Sequence, residues 1–145
     1  MKMKIRRVYP QAVIPTYGHP GDAGMDLYVV LTGWGFHDML AGEARLFTTG
    51  VAMEIPDGFV GLIRPRSGIA VKNGIDILTS GVIDSGYRGE IMVNMINHSN
   101  KTVRINHGDR IAQMLILPVY QADFVEVEKL EDSERGSGAH GSTGQ

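Results

Sequence analysis

Arg66 and Ser67 are the pair of residues whose types and spacing most directly suggest a binding chemistry. They lie in the block Arg64–Gly68, just after a short apolar run. An arginine can donate two parallel hydrogen bonds to a phosphate, and a serine hydroxyl can donate another. Gly68 lets a ligand approach the backbone closely because glycine has no Cβ. The block therefore suits a phosphate group, although a solvated surface loop can have the same composition.

Asp84 and Tyr87 lie in one glycine-rich segment, Ser80–Glu90. A carboxylate here could serve as a general base, and a tyrosine ring could form a flat wall beside a cyclic ligand group. Asp-Ser-Gly is also a common turn sequence, so a purely structural role for Asp84 stays open. Asp84 is the candidate catalytic residue of the sequence.

Two further blocks place a polar residue within strand-like segments. Asp26 lies in Ala23–Tyr28, where it is either a turn carboxylate or a group that contacts a metal ion indirectly. Gln113 ends the block Gly108–Gln113, which by itself is typical of a turn that enters a strand. Neither block alone indicates a function.

The C-terminal stretch is rich in glycine and serine and contains almost nothing that a core could bury. Such a composition predicts a mobile terminus. Residues 136–141 match G-x-G-x-x-G, but only four residues follow, whereas a dinucleotide site needs a helix and a later acidic residue. Arg135, Ser142 and Thr143, together with nearby glycine N–H groups, could instead wrap a phosphate chain.

The segments that must position these residues have the pattern of short strands. Residues 51–55 alternate larger apolar with smaller or charged side chains, Val103 and Ile105 alternate with polar residues, and Val125 and Val127 alternate with glutamates. Turn sequences separate strands that recur every ~8–12 residues, and no apolar stripe of helical period extends over three turns. We therefore expect an all-β fold, a jelly-roll-like sandwich or barrel over residues 1–130, followed by a flexible arm at 131–145.

Composition excludes several classes of function. The chain has 145 residues, of which 43% are hydrophobic and 21% charged, as in one globular domain. A net charge of −2 gives no basic field for general binding to nucleic acid or to a membrane surface. The absence of cysteine excludes a disulfide scaffold, a thiol nucleophile and a cysteine-based metal site. No apolar run approaches the ~20 residues that cross a bilayer, and no signal-peptide pattern is present, so we expect a cytoplasmic protein.

Taken together and in this order, the blocks resemble the five motifs of the trimeric dUTPase family, of bacterial or phage type. The matching blocks are Ala23–Tyr28, Pro65–Ala70, Gly81–Glu90, Gly108–Gln113 and Arg135–Gly144. The resemblance implies a homotrimer of jelly-roll subunits that hydrolyses dUTP to dUMP and pyrophosphate with Mg²⁺, which removes dUTP and supplies dUMP for thymidylate synthesis. It also implies shared active sites: one chain supplies the first, second and fourth motifs, a second chain the third, and a third chain the tail.

The same resemblance implies a role for each site residue. Asp84 would deprotonate the water that attacks the α-phosphorus, and Asp26 would bind a water in the shell of the Mg²⁺. Tyr87 would pack against the deoxyribose, while the backbone at Val82 and Ile83 would pair with uracil. The other residues of the implied substrate site, most of them on the phosphates or in the closing tail, are Arg66, Ser67, Gly68, Met92, Gln113, Arg135, His140, Gly141, Ser142 and Thr143.

A few positions depart from the family pattern, and two other functions stay open. His140 stands where the tail usually carries a phenylalanine, and Leu78 stands where some members have an asparagine. A dCTP deaminase would share the fold but release ammonia from dCTP. Some phage relatives act as regulatory binding proteins, and Val30–Leu40, which contains Trp34 and Phe36, is the segment that could contact such a partner.

Overall fold

A computed structural model describes residues 1–33, 35–79, 81–134 and 136–137. Within these ranges the chain forms twelve β-strands and one short α-helix. The strands are β1 (Lys4–Arg7), β2 (Thr16–Tyr17), β3 (Gly24–Tyr28), β4 (Phe36–Met39), β5 (Ala44–Thr48), β6 (Val51–Glu54), β7 (Phe59–Arg64), β8 (Ile75–Ile77), β9 (Val82–Ile83), β10 (Met92–Asn97), β11 (Val103–Asn106) and β12 (Arg110–Pro118), and the helix α1 (Ser67–Asn73) lies between β7 and β8.

In the described part of the chain, the strands pair antiparallel into four sheets. Their orders are β1-β6, β5-β10-β8, β11-β4 and β2-β3-β12-β7-β9. Alternation decides which side chains enter the core: in β11, Val103 and Ile105 are buried whereas Arg104 and Asn106 are exposed. The largest fully buried side chains include Leu27, Met39, Phe47, Ile63, Ile91, Met95, Ile105 and Met114. The expectation of an all-β fold is confirmed.

β12 is the strand that brings the blocks of the sequence together. It pairs with β3 on one side and with β7 on the other, so Gln113 lies opposite both Asp26 and Arg64. The register shifts between Arg110 and Ala112, near the start of β12. Residues far apart in the sequence thereby become neighbours across three adjacent strands.

α1 is the element that the sequence pattern did not indicate. It has seven residues, which is too short for an apolar stripe of three turns. It begins after Arg66, whose backbone is extended, and ends at Gly74, whose φ of +68° lets its N–H bond the carbonyl of Ala70. No helix in the described ranges is long and apolar enough to cross a membrane.

The strand predicted around Val125 and Val127 is wrong. Residues 119–134 contain no strand, and Tyr120 and Phe124 are almost fully exposed. Alternation predicts how apolar side chains are spaced, but a strand also needs a neighbour that satisfies its backbone hydrogen bonds. The described residues of this one chain pair no strand with the segment. The division into a domain and an arm at residues 130 and 131 stays a prediction.

The segment Val30–Leu40, proposed from the sequence as a partner-binding stretch, is only partly built into the core. Met39 is fully buried, whereas Phe36 is 40% exposed and lies beneath the guanidinium of Arg104, 4.0 Å from its ring centre. Trp34 lies outside the described residues. A role of this segment in binding a regulatory partner stays a prediction.

Candidate active site

A cavity of about 450 Å³ opens beside β3 and β12, at the start of α1. Two arginines reach it from different strand ends, and several of its other residues are glycines, so the cavity suits an anion that the backbone must approach closely. The lining residues are Gly18, His19, Asp22, Ala23, Gly24, Asp26, Arg66, Ser67, Gly68, Arg110, Gln113 and Leu115.

Asp26 lies between the two arginines of the cavity. Its Oδ1 accepts a hydrogen bond from Nε of Arg66 at 2.7 Å, and its Oδ2 accepts one from Nη1 of Arg110 at 3.2 Å. Asp26 is 8% exposed, so these two ion pairs compensate a carboxylate that would otherwise be buried and unpaired. Because Arg66 bonds Asp26 through Nε, its two terminal nitrogens are left for an anion.

The backbone at the start of α1 adds further donors. Arg66 is the residue before the helix, and the helix has no side-chain cap. The first N–H groups of a helix have no partner within it, so those of Ser67 and Gly68 are available at the cavity. A Cβ at Gly68 would meet no described atom within 4 Å, so packing within the chain does not require a glycine there.

Gln113 ties together the two strand ends that carry Asp26 and Arg66. Its Nε2 donates to the carbonyl of Pro65 at 2.9 Å, directly before Arg66. A Cβ on Gly24 would lie 2.5 Å from Oε1 of Gln113, so a larger residue at position 24 would move this amide from its place. In this structure Gln113 positions the arginine. A direct contact of Gln113 with phosphate stays a prediction.

Asp84 and Tyr87 lie on a separate loop that follows β9. The two residues close a turn in which the N–H of Tyr87 donates to the carbonyl of Asp84 at 3.1 Å. The Tyr87 hydroxyl donates to the carbonyl of Glu90 at 2.9 Å, and Asp84 is exposed to solvent. A Cβ at Gly89 would lie 2.6 Å from Cζ of Tyr87, so this glycine is required for the ring to fold against the loop.

The two groups of residues are well separated within one chain. β9 pairs with β7 so that Ile83 lies opposite Gly61, and β9 runs away from Arg66. From Gly61 to Arg64, the last residue of β7, three steps of ~3.3 Å correspond to roughly 10 Å, and Arg66 lies two residues beyond the strand. Asp84 continues in the direction away from Arg66. The residues described around the cavity include neither Asp84 nor Tyr87.

The structure thus divides the predicted site residues into three groups. Those gathered at the cavity are Asp26, Arg66, Ser67, Gly68 and Gln113. Those on β9, on its loop or on the strand that follows the loop are Val82, Ile83, Asp84, Tyr87 and Met92. Those that lie outside the described residues are Arg135, His140, Gly141, Ser142 and Thr143.

Sequence reasoning missed Arg110 as a site residue. It lies in the block Gly108–Gln113, but a turn followed by a strand gave no reason to assign it a ligand. His19 and Asp22 were also missed: the backbone N–H of His19 donates to Oδ2 of Asp22 at 2.8 Å on the rim of the cavity. No signal in the single sequence connects either residue to the arginines.

Fold and cavity together define an all-β protein with an arginine-lined cavity whose chemistry suits an anion. The dUTPase family model matches residues 10–144, and the chain therefore belongs to the dUTPase family. This confirms the resemblance seen in the motif order.

Known relatives match the whole chain. It is 49% identical to the deoxyuridine 5'-triphosphate nucleotidohydrolase of Nautilia profundicola, with 100% of each chain covered. It is 48% identical to the protein of the same name from Nocardia farcinica, over 97% of this chain and 84% of the relative.

Solved structures also match the chain over nine-tenths or more of its length. A dUTPase of Staphylococcus bacteriophage 80alpha with dUpNHpp has a TM-score of 0.88 at 29% identity, with 99% of each chain covered. A dUTPase of phage phi11 of S. aureus, in a structure that describes the coordination of a structural Mg(II) ion, has a TM-score of 0.80 at 26% identity, over 91% of this chain and 100% of that one. These matches confirm the jelly-roll-like fold class.

Proposed function

We propose that this chain hydrolyses dUTP to dUMP and pyrophosphate through attack of a water on the α-phosphorus. It is a dUTP diphosphatase by family, a hydrolase of nucleotide metabolism. The observation that carries the mechanism is the pair of arginines that Asp26 holds at the cavity. Phosphoryl transfer depends mainly on positioning and on neutralising charge, and this cavity supplies both.

Mg²⁺ is proposed to enter with the substrate, bound to oxygens of the triphosphate. The described residues contain no cluster of three or more His, Cys, Asp or Glu that could hold a metal ion directly. Asp26 nevertheless fits an indirect role, because a carboxylate offers about four acceptor positions and the arginines occupy only part of them. We assign Asp26 one further hydrogen bond, to a water in the shell of the ion.

Asp84 is proposed as the general base. Its exposed carboxylate and Tyr87, the residue that we assign to the deoxyribose, lie at the two ends of one turn, which keeps the proposed base close to the proposed sugar contact. The proton of the attacking water would pass to Asp84 as the new P–O bond forms and the bond to pyrophosphate breaks.

Uracil is proposed to bind along the outer edge of β9. This strand is the last of its sheet, so one side of Val82 and Ile83 presents backbone donors and acceptors that no neighbouring strand occupies in the described chain. An edge strand can pair with a planar base much as it would pair with another strand. Cytosine would leave buried polar groups unpaired, which disfavours it.

The active site is proposed to be shared among the chains of a homotrimer. The direction of β9, which carries Asp84 away from the end of β7 beside Arg66, supports this arrangement, because it separates the proposed base from the arginine-lined cavity within one chain. The exposed Tyr120 and Phe124, in a segment with which no described strand of this chain pairs, also support an assembly. The arm at 131–145 would then close over the phosphates of a neighbouring site.

The activity is tested by measuring pyrophosphate release from dUTP, dCTP, dTTP and UTP, with Mg²⁺ and with EDTA. We expect release from dUTP only, and only with Mg²⁺. Ammonia released from dCTP, without pyrophosphate from dUTP, would instead establish the deaminase.

The base is tested with Asp84→Asn, which should lower turnover by ~10²–10⁴-fold while dUpNHpp still binds. Asp38→Asn is the matched control, because Asp38 is a partly exposed carboxylate that pairs with Arg104 and does not line the cavity. Turnover of Asp84→Asn near that of the control would overturn the assignment of the base.

A further inference from the structure

Arg88 follows Tyr87 directly, and its guanidinium folds back onto the loop that carries Asp84. Its Nη1 donates to the carbonyl of Ser85 and, at 2.9 Å, to the carbonyl of Tyr87. These two carbonyls belong to the turn that begins at Asp84. One guanidinium therefore bridges the middle and the end of the turn.

The other contacts of Arg88 are weak in comparison. Its Nη2 lies 3.9 Å from Oε1 of Glu54, which also pairs with Lys4 at 3.3 Å. A separation of 3.9 Å is too long for a hydrogen bond, and an exposed ion pair contributes little to stability. The hydrogen bonds to the turn are thus the main interactions of this side chain.

The ends of the loop are fixed by other means. β9 pairs with β7 before the loop, and after it the carboxylate of Glu90 accepts the N–H of Gly50 at 2.7 Å. Between these anchors, the turn itself is held by the hydrogen bond from the N–H of Tyr87 to Asp84, by the Tyr87 hydroxyl on the carbonyl of Glu90, and by Arg88. Of these three restraints, Arg88 is the one that holds the carbonyl of Ser85 in the middle of the turn, and a short exposed turn that loses it would sample more conformations.

We infer that Arg88 is a positioning residue, which holds the turn in the one conformation that aims the Asp84 carboxylate at the attacking water. This inference rests on the proposed role of Asp84 as the base. Arg88 touches neither the cavity nor Asp84's side chain, so it acts through the backbone carbonyls. A displacement of about 1 Å can lower a rate ~10²-fold, and a turn that keeps its other restraints but loses Arg88 should lose part of that.

The test compares Arg88→Met with Arg104→Met, an arginine of nearly equal exposure (55% and 56%) whose guanidinium pairs with Asp38 instead. For Arg88→Met we expect kcat for dUTP to fall about tenfold with KM within about twofold of the unsubstituted enzyme. Arg88→Lys, which keeps one charged donor, should recover part of kcat. Arg104→Met should change neither constant.

A double substitution separates positioning from general destabilisation. If Arg88 acts through Asp84, Arg88→Met should lower kcat no further in the Asp84→Asn background, because the group that it positions is already absent. A full additional tenfold loss in that background, an unchanged kcat of Arg88→Met, or a rise in KM in place of the fall in kcat would each overturn the inference.

Three further outcomes are distinguishable. If Arg88→Met melts well below Arg104→Met, kcat of the two variants is compared at a temperature at which both are folded: an equal kcat there means that Arg88 serves stability only and overturns the inference. If Asp84→Asn itself turns over at the normal rate, the proposed base is wrong. A slow Asp84→Asn beside a normal Arg88→Met leaves the base intact and removes only the role of Arg88.

Discussion

Asp26→Asn removes the charge that two arginines share while leaving the shape of the side chain nearly unchanged. The Arg66 pair is largely enclosed, with side chains 26% and 11% exposed, so its loss approaches the ~3 kcal/mol of a broken buried pair. The amide oxygen still accepts one hydrogen bond, which retains about 1 kcal/mol. Arg110 is half-exposed and adds little. We therefore expect the free energy of unfolding to fall by about 2 kcal/mol.

The assay is urea unfolding at pH 7 without Mg²⁺, at one fixed protein concentration because the stability of an oligomer depends on concentration. Asp38→Asn is the control, and its exposed pair with Arg104 should contribute much less. If Asp26 served only a metal-bound water, Asp26→Asn would be as stable as the unsubstituted protein in the absence of metal and nucleotide. A loss below about 0.5 kcal/mol would therefore refute the role of Asp26 in holding the arginines.

Two further predictions concern other parts of the chain. Gly24→Ala should lower activity with a smaller effect on melting temperature, because its Cβ would displace the Gln113 amide, which lies 2.5 Å from that position; full activity in a pyrophosphate assay would show that Gln113 need not stay in place. The hydrogen bond from the N–H of Leu40, followed by that from His37, lowers the pKa of the Glu43 carboxyl. The stabilising effect of the ionised Glu43 carboxylate is therefore present above the ordinary pKa of a glutamate, and it is lost as the pH falls through the lowered pKa of Glu43. Glu43→Gln should melt below the unsubstituted protein at pH 7, and this gap should narrow as the pH falls below the ordinary pKa of a glutamate; a gap that stays constant as the pH falls would contradict this.

How far the sequence predicts the fold depends on how local each signal is. Alternation indicated β11 and its buried valine and isoleucine correctly, because the period of two is a property of the strand itself. The same rule failed at Val125 and Val127, where the missing information was a partner strand. α1 was not indicated because its seven residues are too few to show the helical period in the sequence.

The sequence predicted which residues form the candidate site better than it predicted how those residues are arranged. Motif order identified Asp26, Arg66 and Gln113, but only the pairing of β12 with both β3 and β7 shows that Gln113 lies between the other two. Arg110 could not be assigned from one sequence, since its contact with Asp26 joins residues 84 positions apart. Non-local contacts of this kind leave no trace in local composition or period.

The central claim is that Arg66 and Asp84 of different chains act in one active site. The most direct measurement mixes equal amounts of inactive Asp84→Asn and inactive Arg66→Gln chains, lets the subunits exchange, and follows pyrophosphate release from dUTP. Random assortment leaves an intact Asp84 facing an intact Arg66 in about a quarter of the sites, so we predict about a quarter of the normal turnover. Turnover that stays at the level of the two parents, after labelled chains have shown complete exchange, would contradict a shared site.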